Sequence, residues 1–282
     1  MKLKTLFEEL VNILKKADIE NPQLEALIII QEILKIPKHK VFLDLDLEVK
    51  DYQEAVKIAT ERSKKIPLAY LIKKREFFGL EFYVEEGVLI PRPETEILVE
   101  KVLQKLGNLK NPVGLEVGVG SGCISVSLLH SKKDLKMYAL DISEKALKIT
   151  KINAEKYNLL DRLTLIKFDV IKDDTKDLNL DKLDFVVSNP PYVSEDEYEN
   201  LQEEVKKEPK EALISGKVGT EFYEKIVEKF KDYLKEDGFF AFEIGINQAE
   251  KVKSILEKIG FKNAKVYKDL AGIDRVLIAS KI

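Results

Sequence analysis

From Val113 onward, short β-branched runs alternate with longer stretches of helical period, and this alternation constrains the fold more than any other feature. Val113–Val117, Lys136–Leu140, Leu163–Lys167, Phe185–Val187, Phe239–Glu243, Lys265–Tyr267 and Arg275–Ala279 read as strands. Between them, residues 121–130, 143–157, 219–234 and 247–259 space their apolar positions as helices do. Ser143 stands where a hydroxyl caps the second of these helices. A strand that returns through a crossover helix lies parallel to its predecessor, so the alternation builds a parallel sheet with helices on both faces. Only residues 269–274 separate the last two strands, too few for a crossover helix, so these two pair antiparallel. The expected class is α/β: a doubly wound, mostly parallel seven-stranded sheet with an antiparallel edge hairpin. Ligands of such sheets sit beyond the carboxyl ends of the strands, where the strand order switches.

The preceding residues divide in two. Residues 1–72 carry helical period and form a small all-α domain. Leu3, Leu6, Phe7, Leu10, Ile13 and Leu14 make one apolar stripe, Asn21-Pro22 opens a second helix with Asn21 as cap, Pro37 closes it, and residues 51–64 form a further helix. His39 is the domain's only histidine and no catalytic constellation accompanies it, so recognition of a partner is the expected role. In residues 73–91, β-formers flank Gly79 and predict a hairpin linking the two domains. Residues 92–282 then form the sheet domain. Pro91 and Pro93 fix an extended entry to a helix that starts near Pro93 and keeps its period through Ile97, Leu98, Val102 and Leu106. Arg92, between the prolines, reads either as a salt-bridged surface residue or as one that holds a carboxylate or an active-site loop.

The bulk numbers exclude several classes. Of 282 residues, 45% are apolar and 34% charged, which suits a soluble chain with a substantial core. Lys+Arg 47 against Asp+Glu 50 gives a net charge of −3, without the basic excess of a nucleic-acid binder. A single cysteine excludes an internal disulfide framework and fits a reducing, cytoplasmic setting. No apolar run approaches the ~20 residues of a membrane span, and no apolar core follows Met1-Lys2-Leu3-Lys4, so neither a membrane anchor nor a signal peptide is expected. A monomer is expected.

Two motifs carry the chemistry. The apolar run Phe185–Val187 stops at Ser188-Asn189-Pro190-Pro191-Tyr192. Neither proline has an N–H for a ladder, and Asn189 and Pro190, each preceding a proline, are pushed to extended backbone. The side-chain oxygen of Asn189 and the carbonyl of Pro190 can together accept both hydrogens of a planar NH2 group, with Tyr192 over its plane. A bare Asn-Pro-Pro would read as an ordinary strand exit. The second motif changes that reading: Glu116-Val117-Gly118-Val119-Gly120-Ser121-Gly122 follows the first strand and opens a helix. Its glycines permit a sharp turn and close approach of a ligand, and Asp141, at the end of the next strand, can accept from two ribose hydroxyls. The spacing is Gly-x-Gly-x-Gly, not the Gly-x-Gly-x-x-Gly of a dinucleotide site. Glu116 would repel a pyrophosphate and welcome an amino group. A ligand with a ribose, no phosphate and a cationic amino-acid tail fits, and S-adenosylmethionine is such a molecule. Asp169, ending the third strand, either accepts from the adenine amino group or caps a turn, with Phe168 and Val170 as an apolar wall. Cys123 and His130 read as packing residues, so no metal site is expected.

Gly118–Gly122, Asp141 and Asn189–Tyr192 together resemble class I S-adenosylmethionine-dependent N-methyltransferases. With Arg92-Pro93-Glu94-Thr95-Glu96, Glu76-Phe77-Phe78-Gly79, Glu208-Pro209, Ala212-Leu213 and Glu243-Ile244-Gly245, the chain resembles, over nearly its whole length, the release factor glutamine methyltransferases. That resemblance implies methylation of the amide nitrogen (N5) of the glutamine in the Gly-Gly-Gln motif of class I peptide chain release factors. It implies cofactor contacts from Gly118, Val119, Gly120, Ser121, Gly122, Asp141, Asp169, Val170 and Asn189. It implies that Asn189, Pro190, Pro191 and Tyr192 hold the glutamine, with Asn189, Pro190 and Tyr192 in the catalytic role. The sequence departs from the family in having Val170 where an aromatic is common, and Ser215-Gly216 where a Gly-Gly pair is common.

Three other readings use the same residues. An N6-adenine methyltransferase of DNA or RNA would clamp an exocyclic amine in the same way; the net charge opposes it, while the Lys35–Lys40 and Lys64–Arg75 clusters favour it. A nicotinamide-dependent dehydrogenase is opposed by the glycine spacing and Glu116. A binding module without catalysis would have little use for an intact Asn-Pro-Pro-Tyr.

Overall fold

The leucine stripe at the N-terminus folds as α1 (Leu3–Lys16), with Leu3, Leu6, Leu10 and Leu14 all fully buried. Four such side chains on one face give α1 its hold on the domain, each contributing about 2 kcal/mol of apolar burial. They pack on Ala26, Ile29 and Ile30 of α2 (Pro22–Leu34) and, past the short α3 (Lys38–Leu43), on Ala55, Ile58 and Ala59 of α4 (Gln53–Arg62). A last helix, α5 (Leu68–Ile72), completes this helical unit. Pro22 occupies the first turn of α2 as expected, but the Asn21 side chain makes no capping bond. The helix stops at Leu34 with Lys35 left-handed (φ 56°), two residues before Pro37. The structure is a computed structural model and describes residues 1–44 and 46–281.

Contacts divide the chain into Met1–Lys74 with Gln202–Lys207, and Arg75–Leu201 with Glu208–Ile282. Inclusion of residues 202–207 in the helical unit has a physical cause. Arg62, 3% exposed, donates to both oxygens of Glu25 (2.7 and 3.0 Å), to Glu204 (2.6 Å) and to the Ile66 carbonyl (3.3 Å).

The second unit begins with β1 (Arg75–Phe77) and β2 (Leu80–Phe82), an antiparallel hairpin. Its turn residues Phe78 and Gly79 both have positive φ (51° and 70°), the combination a tight two-residue hairpin demands. Residues 73–91 were expected as a linker, but from Arg75 on they pack within the sheet unit. Phe77 and Phe82 are buried, and Asn153 both accepts from the Tyr83 N–H (2.7 Å) and donates to its carbonyl (2.9 Å).

The elements then alternate as the pattern requires: α6 (Thr95–Leu106), β3 (Val113–Val117), α7 (Cys123–Ser131), β4 (Lys136–Asp141), α8 (Glu144–Lys156), β5 (Leu163–Lys167) and β6 (Leu183–Ser188). After β6 come three small elements, β7 (Val193–Ser194), α9 (Glu195–Tyr198) and β8 (Ile214–Gly216). The chain closes with α10 (Glu221–Phe230), β9 (Leu234–Glu243), α11 (Ala249–Glu257), β10 (Asn263–Lys268) and β11 (Asp274–Ser280). Helix α6 starts at Thr95, two residues later than the proline predicted, and Ser143 caps α8 by accepting from the Ala146 N–H.

The main sheet has the order β10-β11-β9-β6-β3-β4-β5. Strand β11 runs antiparallel to both neighbours, and the other pairings are parallel. All six residues of β6 are buried, as befits a strand covered on both faces. Gly114 is required at the β3–β6 contact: a Cβ there would lie 2.2 Å from the Phe185 ring and 2.6 Å from the Met137 sulfur. Phe185 stacks on Phe239 at 5.5 Å. From β3 the chain proceeds outward through β4 to β5, then returns to the other side of β3 as β6. The carboxyl ends of β3 and β6 therefore flank the point where the strand order switches.

Candidate active site

The two sequence motifs meet at that switch point. Ser188, the last residue of β6, donates its hydroxyl to the Val117 carbonyl at the end of β3 (2.6 Å). The glycine loop that follows β3 and the Asn189 segment that follows β6 thus line one cavity of about 340 Å³, within the range of small-molecule sites.

Gly118 and Gly120 form one wall. Both have positive φ (77° and 57°), and a Cβ on either would meet nothing within 4 Å, so bare backbone faces the open volume. Asp141 braces the loop: its carboxylate accepts from the Gly120 N–H and the Ser143 N–H, each at 2.9 Å. Burial raises its pKa, against the pull of those two amides. It faces the cavity with lone pairs still available to hydroxyls. Bare backbone plus a shared carboxylate is the chemistry a ribose requires, and the residues present fit the nucleoside end of S-adenosylmethionine.

Val119, Ser121 and Gly122 do not line the cavity. Val119 and Ser121 are buried behind the loop, and Gly122 packs on Thr150 of α8. In a tight turn only alternate residues face the ligand side. Glu116 is also turned away from the role expected of it. It is 1% exposed and accepts from both the backbone N–H (2.9 Å) and the hydroxyl of Ser125 in α7. Burial pushes its carboxyl up to about 8, so it serves as a neutral or weakly charged brace beneath the loop.

Phe168 and Val170 both line the cavity and are buried, so the apolar wall exists with valine in the aromatic's place. Asp169 sits between them and also lines it. Its Oδ1 caps the following turn, accepting from Ile171 (2.9 Å) and Lys172 (3.3 Å), and its Oδ2 lies 3.6 Å from the Lys172 ammonium. Arg92 pairs with Glu208, which is 4% exposed and also accepts from the Ile90 N–H (2.9 Å). This ion pair ties together two segments whose neighbours, Leu89 and Pro209, line the cavity. Arg92 is thus salt-bridged, and the carboxylate it holds belongs to a segment that borders the cavity.

Asn189, Pro190 and Pro191 line the cavity beside the glycine loop. The Asn189 NH2 group donates to the Thr95 hydroxyl (3.3 Å), which donates to Glu243 Oε2 (2.6 Å). Tyr192 lies just outside the cavity wall and reaches the other oxygen of Glu243 through its hydroxyl (3.5 Å). Burial pushes the Tyr192 hydroxyl up, so it stays a neutral donor. The Tyr192 carbonyl accepts from the Gln248 side-chain amide (2.9 Å), which also donates to Gly219 (3.2 Å). Gly219 (φ 84°) is needed here, because a Cβ would stand 2.7 Å from that same carbonyl. Thr95, Glu243 and Gln248 are the residues sequence reasoning missed. The first two lie in stretches that marked the resemblance, but nothing local links them to Asn189. Cys123 packs with its thiol pushed up by burial, His130 sits edge-on to Tyr157, and among the described residues no group of three or more His, Cys, Asp or Glu is placed to hold a metal ion.

Comparison with known proteins agrees with this architecture. A methyltransferase small domain matches residues 93–218 and a PrmC N-terminal domain matches residues 5–72. The release factor glutamine methyltransferase of Aquifex aeolicus (strain VF5) is 43% identical over 274 residues, spanning 95% of this chain and 94% of that protein. The enzyme of the same name from Clostridium botulinum (strain Hall) is 38% identical over 284 residues, covering 100% of both. Among solved structures, the hMettl16 catalytic domain in complex with a MAT2A 3'UTR hairpin superposes with a TM-score of 0.59 over 80% of this chain and 82% of that one. At 18% identity, that likeness speaks to the fold alone.

Proposed function

The chain belongs to the release factor glutamine methyltransferase family, and from that membership we propose that it methylates the side-chain amide nitrogen (N5) of the Gly-Gly-Gln glutamine in class I peptide chain release factors, with S-adenosylmethionine as donor. The observation that carries the reading is the shared cavity at the switch point, lined at once by the glycine loop and by Asn189 and Pro190. When bound, the donor supplies an electrophilic methyl group on a positively charged sulfur. In this reading Asp141 takes the ribose hydroxyls, Gly118 and Gly120 give backbone close approach, Phe168 and Val170 enclose the adenine, and Asp169 offers it Oδ2.

An amide nitrogen is a poor nucleophile because its lone pair is delocalised into the carbonyl. Asn189 Oδ1 and the Pro190 carbonyl accept its two hydrogens, which fixes the approach geometry and favours electron density on nitrogen. Pro191 stiffens the corner and Tyr192 bounds it. Displacement would exchange the donor's C–S bond for a new C–N bond, leaving a neutral thioether and a cationic nitrogen that gives one proton up to solvent. Its proton becomes acidic only after alkylation, so no strong base is needed, in keeping with a site without histidine. The helical unit is assigned to recognition of the release factor: it matches a family N-terminal domain, and α3 leaves Phe42 and Leu43 exposed. The enzyme is taken to act as a monomer in the cytoplasm, where such substrates are; among the described residues no helix is long and apolar enough to cross a membrane.

Incubation with methyl-labelled S-adenosylmethionine and either a class I release factor, its Gly-Gly-Gln→Gly-Gly-Ala variant, or DNA and RNA tests the assignment. Label in the release factor alone, lost with the glutamine, is the expected result. Label in adenine overturns it.

A further inference from the structure

Resting on the methyl-transfer reading above, we propose that Thr95 and Glu243 are positioning residues that fix which end of the Asn189 amide faces the substrate. A threonine hydroxyl has one proton to give. Thr95 gives it to Glu243 Oε2 at 2.6 Å, since an ionised carboxylate can only accept. Only lone pairs remain to face Asn189, so the group that meets Thr95 at 3.3 Å must be the NH2 end. Asn189 Oδ1 is thereby left for the substrate. The two ends of an asparagine amide are nearly the same shape, and a flipped amide would set its own N–H groups against the NH2 group it is meant to hold. The acceptor character of the clamp is thus decided by Glu243, 148 residues from Thr95 in sequence, and not by Asn189 itself.

The same chain of bonds makes the clamp sensitive to one proton. If Glu243 is protonated, it donates to Thr95, the Thr95 proton turns toward Asn189, and Oδ1 is drawn inward. Burial pushes the Glu243 carboxyl up to about 7; the charge of Arg275 pulls it down, and Glu94 pushes it up. Tyr192 faces its Oε1 at 3.5 Å, the Tyr223 hydroxyl from α10 donates to its backbone carbonyl at 2.9 Å, and the Cys123 thiol from α7 senses its charge. The productive orientation therefore belongs to pH above about 7.

Thr95→Val, Thr95→Ser and Glu243→Gln, assayed with a release factor from pH 6 to 9 alongside cofactor affinity and thermal melting, test the proposal. Thr95→Val keeps the shape and removes the hydroxyl. Its kcat at pH 8 is expected to fall about 10- to 100-fold, the worth of a buried hydrogen bond left unmade, with cofactor Kd little changed. Thr95→Ser is expected to restore most of that loss. Wild-type kcat is expected to decline below about pH 7, and this acid limb should vanish in both Thr95→Val and Glu243→Gln. A Thr95→Val enzyme within about twofold of wild type, or either Thr95→Val or Glu243→Gln losing rate while keeping the acid limb of the wild type, overturns the proposal. If Thr95→Val does not fold, the acid limb of Glu243→Gln decides alone. Wild-type protein without any turnover would strike the proposed function, whereas an unaltered Thr95→Val strikes only this inference.

Discussion

Two regions of the molecule bury charge in opposite ways. In the helical unit, Arg62 is almost wholly enclosed and is met by two carboxylates and a carbonyl, so its charge is matched inside the fold. In the sheet unit, Glu116 and Glu243 are equally enclosed but are held by hydroxyl and amide donors. A paired buried charge keeps its ionisation fixed, and breaking the pair is felt as lost stability. A buried carboxylate held by neutral donors has its pKa carried toward neutrality, here to about 8 and about 7, and its protonation then bears on what it touches. The first arrangement ties a distant turn, residues 202–207, into a helical domain. The second sits beneath the glycine loop and behind the Asn189 corner, where hydrogen-bond direction matters more than net charge.

The largest expected effect lies on the sheet side. Asn189→Ala removes one of two acceptors and should lower kcat by about 10²- to 10³-fold, the loss typical of a preorganised hydrogen-bonding group. Cofactor affinity and melting temperature should stay close to wild type. An Asn189→Ala enzyme with near-normal turnover would break the comparison on that side. Arg62→Ala should do the reverse: about 3 kcal/mol of stability lost in denaturant titration, because Glu25 is left without its partner. The protein that remains folded should keep its kcat. A neutral result there would mean the Arg62 cluster contributes no more than a surface pair.

The smallest effect sharpens the contrast through pH. In the folded chain the Glu116 carboxyl holds its proton up to about 8, against a reference value of 4.5. Between those values the folded state binds more protons than the unfolded one, so this group makes wild-type stability fall as pH rises. Glu116→Gln stays neutral in both states and keeps an acceptor for Ser125. Its stability relative to wild type should rise from pH 5 to pH 8 by roughly 1 kcal/mol or more. Glu243 contributes a slope of the same sign up to about 7, so flattening will be partial. A difference between the two proteins that does not change with pH would show that Glu116 is ionised throughout.

Much of the site was legible because it sits where strands end. Ser188, the prolines after it and the glycines after Val117 mark strand exits by backbone rules alone, and the strand alternation brings those exits to one edge. Asp141 and the Phe168 and Val170 wall followed from the same logic. Individual side chains were read less well. Glu116 sits in the expected place but turns beneath the loop, because the first turn of α7 offers it two donors at Ser125. Val119, Ser121 and Gly122 belong to the loop without facing its cavity, since a tight turn sends neighbouring residues to opposite sides.

The sequence by itself determined the period of each element, the parallel sense of most of the sheet, and the two loops that would share its carboxyl edge. These follow from local backbone preference and apolar spacing, which neighbouring residues specify among themselves. Only the tertiary structure decided that Glu208 clasps Arg92, that Glu204 returns to Arg62, and that Thr95 joins Glu243 to Asn189. Such pairings join residues far apart along the chain. They depend on strand register and on how completely water is excluded, and neither quantity exists until the chain has closed on itself.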